Sequence, residues 1–203
     1  MTEFTWGART SCTDGFCGVV RRTIVDPAAR TVTHLVIAPG RHHQTGGRLV
    51  PVELAEEAAG EIRLRCTLDE FGRLDPAEEV DMADGGYGEV GPVQGYGIDG
   101  MGSGVGLNPQ MPVLVIHAVP LGEAEVERHD PVHATDGEIG QVEGFIVDPA
   151  DHKVTHVLLQ EGHLWGRKQV AIPASAVASV VAGIELNITK KQVEELPPLD
   201  LPG

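Results

Sequence analysis

The chain has 203 residues, an apolar content of 41% and a formal charge of −15. No apolar run approaches the ~20 residues a helix needs to cross a bilayer, which excludes a helical membrane span. Bases are scarce beyond the first third: residues 77–124 carry seven acids and no base, and residues 125–203 carry thirteen acids against six bases. Generic nucleic-acid binding, which needs a basic stripe to neutralise phosphates, is therefore disfavoured.

Residues 3–76 recur at 125–198 without a gap, at a constant offset of 122 residues. Thr13-Asp14-Gly15 matches Thr135-Asp136-Gly137, and Gly18 matches Gly140. Ile24-Val25-Asp26-Pro27-Ala28 matches Ile146-Val147-Asp148-Pro149-Ala150, and Val32-Thr33-His34 matches Val154-Thr155-His156. Such self-similarity is the mark of a duplicated structural unit. The expected organisation is a first module over 1–76, an acidic glycine-rich linker over 77–124 and a second module over 125–203.

In chain order, each module opens with a predicted short strand at about 5–11 and 127–133, followed by a turn at Asp14-Gly15 and Asp136-Gly137. A hairpin comes next: Val19–Val25 runs into Asp26-Pro27, which suits the start of a type I turn, and Val32–Ile37 returns. The second module repeats it with Phe145–Val147, a turn over Asp148–Lys153, and Val154–Leu159. Later strands are predicted at Leu49–Val52 and Ile62–Cys66, matched by Ala171–Ile172 and Ile184–Ile188. A helical turn closes each copy, capped by Thr67 over Leu68–Leu74 and by Thr189 over Lys190–Leu196, with Pro197-Pro198 as the stop. The linker holds eleven of the 26 glycines. Its end, Val113-Leu114-Val115-Ile116, is β-prone and is expected to add a strand to one module or to pair across the two. Short strands with few aromatics favour closure into small barrels, which removes exposed edges. The expected fold is mainly β, with two small antiparallel barrels in tandem.

The string Asp-Gly-x-x-Gly-x-Val, then Ile-Val-Asp-Pro, then Val-Thr-His with aliphatics, and a closing Val/Ile-Pro, resembles the PRC-barrel family. The likeness is closest over Asp136–Gly140, Ile146–Pro149, Val154–Leu159, Lys168–Pro173 and Ile184–Pro198. It implies antiparallel PRC-type barrels used chiefly for protein–protein contact, with no shared catalytic residues. The tandem arrangement resembles stand-alone actinobacterial members of that family.

Candidate chemistry is sparse. His34 and His156 are equivalent and sit just after a turn, where a ring can bond the hairpin backbone; the competing reading is a metal ligand or pH-sensitive element. Asp14, Asp26, Asp136 and Asp148 are followed by Gly15, Pro27, Gly137 and Pro149, so turn chemistry accounts for them without acid/base catalysis. Cys12, Cys17 and Cys66 are odd in number and lack CxxC spacing, as expected of reduced thiols. Cys12 and Cys17 bracket a turn and invite a redox reading, but Ala134 and Ile139 replace them in the second copy, which favours packing. In the loop Gly162–Lys168, His163, Trp165, Arg167 and Lys168 form the candidate interface, because exposed Trp and Arg are typical anchors. The N-terminal MTEFTWGART has neither a basic nor an apolar leader region, so a cytoplasmic location is expected. The functional expectation is a non-enzymatic interaction or scaffold module without cofactors, whose partner is another protein or a second copy. The alternative is a small-ligand or metal sensor using His and Cys.

Overall fold

The computed structural model describes residues 1–39, 46–58, 60–82, 113–161, 169–180 and 183–196, and the side chains at 79–82, 113–115, 160–161 and 169 lie outside that description. The first copy contains β1 (Thr2–Thr5), β2 (Arg9–Cys12), β3 (Gly15–Asp26), β4 (Thr31–Ala38), β5 (Arg48–Pro51), β6 (Ala55–Ala58), β7 (Glu61–Leu64) and α1 (Leu68–Gly72). Two strands follow, β8 (Glu78–Met82) and β9 (Val113–His117). The second copy contains β10 (Ala124–Glu127), β11 (Pro131–Ala134), β12 (Gly137–Val147), β13 (Val154–Glu161), β14 (Gln169–Pro173), β15 (Val177–Ser179), β16 (Ile184–Leu186) and α2 (Lys190–Glu194). No helix among the described residues is long and apolar enough to cross a membrane.

The protein is mainly β, but the expected closed antiparallel barrels are not found. Two seven-stranded sheets run in the orders β5-β4-β3-β2-β7-β6 and β14-β13-β12-β11-β16-β15, each with one further strand attached. Both are mixed, because β2 lies parallel to β7 and β11 parallel to β16. The ladders end at β5 and β6 in one sheet and at β14 and β15 in the other. The edge at β5 is covered by the chain that follows α1 into the linker: Leu49 N–H donates to Asp75 O at 2.9 Å and Ala77 N–H to Gly47 O at 2.9 Å.

The attached strands are exchanged between the copies. Strand β12 is long, and β11 covers only its Gly137–Gln141 half. The remaining half takes β1 from the first copy, with Thr2 opposite Val147 and Thr5 opposite Gly144. Reciprocally, β10 from the second copy lies on β3, with Ala124 opposite Val25 and Glu127 opposite Arg22. Each pair of partners maps onto the other by the repeat offset. The predicted continuous strand at 5–11 is thus broken. Gly7 adopts φ +82° and its equivalent His129 adopts φ +77°, a left-handed bend that turns the chain away from its own sheet. The crossing is one residue wide: Trp6 N–H donates to Glu143 O in the second copy at 3.3 Å, and Gly7 N–H donates to Val20 O in its own at 2.8 Å.

A second reciprocal contact joins the hairpin turns. Thr31 bridges its equivalent Lys153. Around them Val32 N–H donates to His152 O at 3.0 Å and Val154 N–H to Arg30 O at 2.9 Å. Arg30 and His152 share a left-handed backbone, with φ of 57° and 55°. These paired relations describe an approximate two-fold axis between the copies. One hydrophobic core accordingly contains residues of both, among them Phe4, Leu35, Ile62, Phe145, Leu159 and Ile184. Phe4 of β1 and Phe145 of β12 are each 1% exposed. Burying such a side chain contributes roughly 1.5–3 kcal/mol, so the exchanged strand is held by packing as well as by its ladder.

The helical turns form where expected. Thr67 and Thr189 each accept from the backbone amide three residues on, and Glu70 and Gln192 return the bond to complete capping boxes. The stop at Pro197-Pro198 falls outside the described residues. The β-prone segment at Val113 is a strand, but its partner is β8 at the start of the linker, not either module.

Candidate functional site

Among the described residues, Arg22 is the centre of the most elaborate polar cluster. It follows an irregularity in the pairing of β3 with β4, between Val20 and Arg22. Its side chain is only 7% exposed. A guanidinium removed from water needs carboxylates with good geometry, because an unpaired buried charge is costly. Two elements supply them. Glu78, the first residue of β8 and 5% exposed, makes a short contact with Arg22 Nη2. Its other oxygen accepts from Gly46 N–H at 3.0 Å and Gly47 N–H at 2.9 Å. Glu125 Oε1 lies 2.8 Å from Arg22 Nε, and Glu127 Oε1 lies 3.7 Å from Nη1.

Strand geometry explains this convergence. Glu125 and Glu127 are two apart on the exchanged strand β10, so both side chains point to one face. The β8–β9 register sets His117 opposite Glu78. His117 Nδ1 is thereby placed 2.8 Å from Glu125 Oε2 and 3.7 Å from Glu127 Oε1. Glu125 is shared, one oxygen facing Arg22 and the other His117. The cluster thus locks the linker hairpin and the exchanged strand onto the first copy's sheet.

The sequence-predicted residues fall elsewhere. Asp26 Oδ1 accepts from Ala28 N–H at 2.8 Å and Ala29 N–H at 3.0 Å, and Asp148 Oδ1 accepts from Ala150 N–H at 2.8 Å. Both act inside the Asp26-Pro27 and Asp148-Pro149 turns. Asp14 and Asp136, beside Gly15 and Gly137, reach beyond the turns in which they were expected to act. Each Oδ1 accepts, at 2.8 Å, from the first amide of the helical turn, Leu68 N–H or Lys190 N–H. A carboxylate there satisfies an otherwise unpaired helix-start amide and ties the hairpin turn to α1 or α2.

His34 and His156 meet side chains where backbone partners were expected. His34 Nδ1 lies 3.1 Å from Thr33 Oγ1 and 3.8 Å from Glu123 Oε2, and His156 Nδ1 lies 3.2 Å from Thr155 Oγ1. Burial lowers the His156 pKa below the usual imidazole range. The two rings sit on different copies and are not brought together in one site.

Cys12, Cys17 and Cys66 are free, buried and gathered in the first copy. Burial, followed by the Cys17 thiol, pushes Cys12 up to about 12, and burial pushes Cys66 up to about 11. Burial also raises Cys17, whose Sγ donates to Thr10 O at 3.3 Å. Thiols held protonated at neutral pH are weak nucleophiles and weak metal ligands. Packing is the role this environment supports.

One surface separates the copies. Phe16 is 47% exposed and Leu68 is 39% exposed. Arg9 Cζ stands 4.8 Å from the Phe16 ring centroid. The corresponding residues of the second copy are Glu138, Lys190 and Pro131. Sequence reasoning passed over Phe16 because a single aromatic in a strand reads as core. It also missed the Arg22 cluster, whose signal was the Glu125-x-Glu127 spacing just ahead of the strand predicted at 127–133. His163, Trp165, Arg167 and Lys168 lie outside the described residues. Between the copies, a cavity of about 100 Å³ is lined largely by apolar groups, including Val25, Pro27, Phe145, Val157 and Val177.

Compared with models of known protein families, the chain matches none. No curated protein matches it either.

Proposed function

We propose that this chain is a non-enzymatic, cytoplasmic binding protein, built from two PRC-type modules, that docks another protein through surfaces on which its copies differ. The observation that carries this reading is the exposed Phe16, stacked under Arg9, with Leu68 also exposed on the helical turn that Asp14 ties to the same hairpin turn. Large apolar side chains rimmed by a cation are the composition of a docking hot spot. The positions conserved between the copies are turn-formers and core aliphatics, which specify the fold and leave the surfaces free to diverge. The PRC-type assignment rests on the repeated Asp-Gly-x-x-Gly, Ile-Val-Asp-Pro and Val-Thr-His strings, and the Trp165 loop is a second candidate surface on the other copy. The sensor alternative draws no support from the cysteines, whose thiols burial keeps protonated.

The test borrows the second copy's own solution. Phe16→Glu with Leu68→Lys gives the first copy the residues found at Glu138 and Lys190, which this fold already accommodates. Affinity capture of partners from the source cell, compared between wild type and this variant, should lose a stoichiometric partner while the far-UV spectrum stays unchanged. Retention of every partner by this variant and by Trp165→Ala would contradict the docking surfaces. Absence of any stoichiometric partner for wild type would contradict the function.

A further inference from the structure

His117, Glu125 and Glu127 each offer one ligand atom, and these three atoms all lie within 4.8 Å of one another. His117 Nδ1 is 2.8 Å from Glu125 Oε2 and 3.7 Å from Glu127 Oε1. A tetrahedral zinc ion with nitrogen and oxygen ligands at about 2.0–2.2 Å holds its ligand atoms roughly 3.4 Å apart. The two separations fall on either side of that value. We propose that these three side chains bind a divalent first-row transition ion, zinc foremost, leaving its fourth position to water.

Three features of the cluster favour an ion here. First, the donor set is mixed: an imidazole nitrogen with two carboxylates suits borderline ions such as zinc better than calcium or magnesium, which prefer oxygen alone. Second, the charge is unbalanced. Among the described residues, Glu78, Glu125 and Glu127 bring three carboxylates to the guanidinium of Arg22, and a divalent cation neutralises the surplus. Third, the ligands are already oriented. Arg22 Nε fixes Glu125 through Oε1 at 2.8 Å, which turns Oε2 toward His117. That is the outer-sphere support by which metal sites hold their carboxylates. His117 and Glu127 are 41% and 44% exposed, which leaves an entry path from solvent.

The site belongs to one copy only. Thr5 stands where the second copy has Glu127, Gly144 stands where the first has Arg22, and His117 comes from the linker. The ion would clasp β9 to the exchanged strand β10, a role that does not depend on the docking surface at Phe16.

Untagged protein, freed of metal by a chelator and titrated calorimetrically with zinc chloride, should bind one ion per chain. His117→Ala and Glu127→Gln should each weaken binding by at least ~10-fold without altering the metal-free far-UV spectrum. In wild type, the ring-nitrogen resonances of His117 should shift on zinc addition, a readout that needs no substitution. Absence of zinc binding by wild type would overturn the proposal. So would an affinity unchanged by His117→Ala, or a titration that moves other histidine rings, such as His42 and His43, and leaves His117 still.

Discussion

Glu3 and Glu125 are the same residue at the same position of two copies, and both lie on exchanged strands, yet their surroundings are opposite. Glu125 meets Arg22 Nε at 2.8 Å. Glu3 meets carboxylates: burial, then Glu57 and Glu143, raise its pKa above the usual range. The difference traces to the receiving strand. Where β3 has Arg22, β12 has Gly144, and a Cβ there would meet Phe4 O at 2.5 Å and Thr5 Cα at 3.0 Å. The second copy holds its guest strand by close backbone approach, and the first holds its guest by a buried ion network that also captures the linker hairpin. Duplication preserved the exchange while the means of securing each strand diverged.

That contrast can be broken from either side. The largest effect is expected at Arg22→Met, which leaves Glu78 and Glu125 buried without their cation and should cost about 3–5 kcal/mol in chemical denaturation. Adding Glu78→Gln should recover part of the loss, as a double-mutant cycle would reveal. Gly144→Ala is expected to be next, at about 1–3 kcal/mol, because β1 must move to admit one methyl group. Its loss should appear in the same unfolding transition as that of Arg22→Met, since both copies share one core.

The smallest effect sharpens the comparison. Because the folded pKa of Glu3 is raised, the folded chain holds more protons than the unfolded one between the ordinary glutamate pKa and the raised value. Stability therefore falls as pH rises through that window and stays lowered above it. Glu3→Gln should stabilise the protein at pH 7 by under about 1 kcal/mol, since solvent screens a partly exposed group. The gain should fade below the ordinary glutamate range in melting curves recorded against pH.

The duplication, the hairpin at Asp26 and Asp148, and the capped turns at Thr67 and Thr189 were legible because each depends on residues close in sequence. What escaped was non-local. Nothing local distinguishes a strand that stays on its own sheet from one that crosses, and the crossing turns on the backbone at Gly7 and His129, the second not a glycine. Strand β6, Ala55-Glu56-Glu57-Ala58, was missed because its composition is not β-prone and tertiary pairing with β7 decides it. The Arg22 cluster gathers residues from β3, β8, β9 and β10, and only the exchange brings β10 there. Closure into barrels was inferred from the need to hide edges, which a shared core and the cover on β5 meet by other means.

Reciprocal exchange of β1 and β10 is the claim on which the rest depends. Nuclear Overhauser contacts in isotopically labelled full-length protein test it without any substitution. Cross-strand contacts from residues 2–5 to 144–147, and from 124–127 to 22–25, are predicted. Contacts from residues 2–5 to 22–25 of the chain's own first copy would contradict the account.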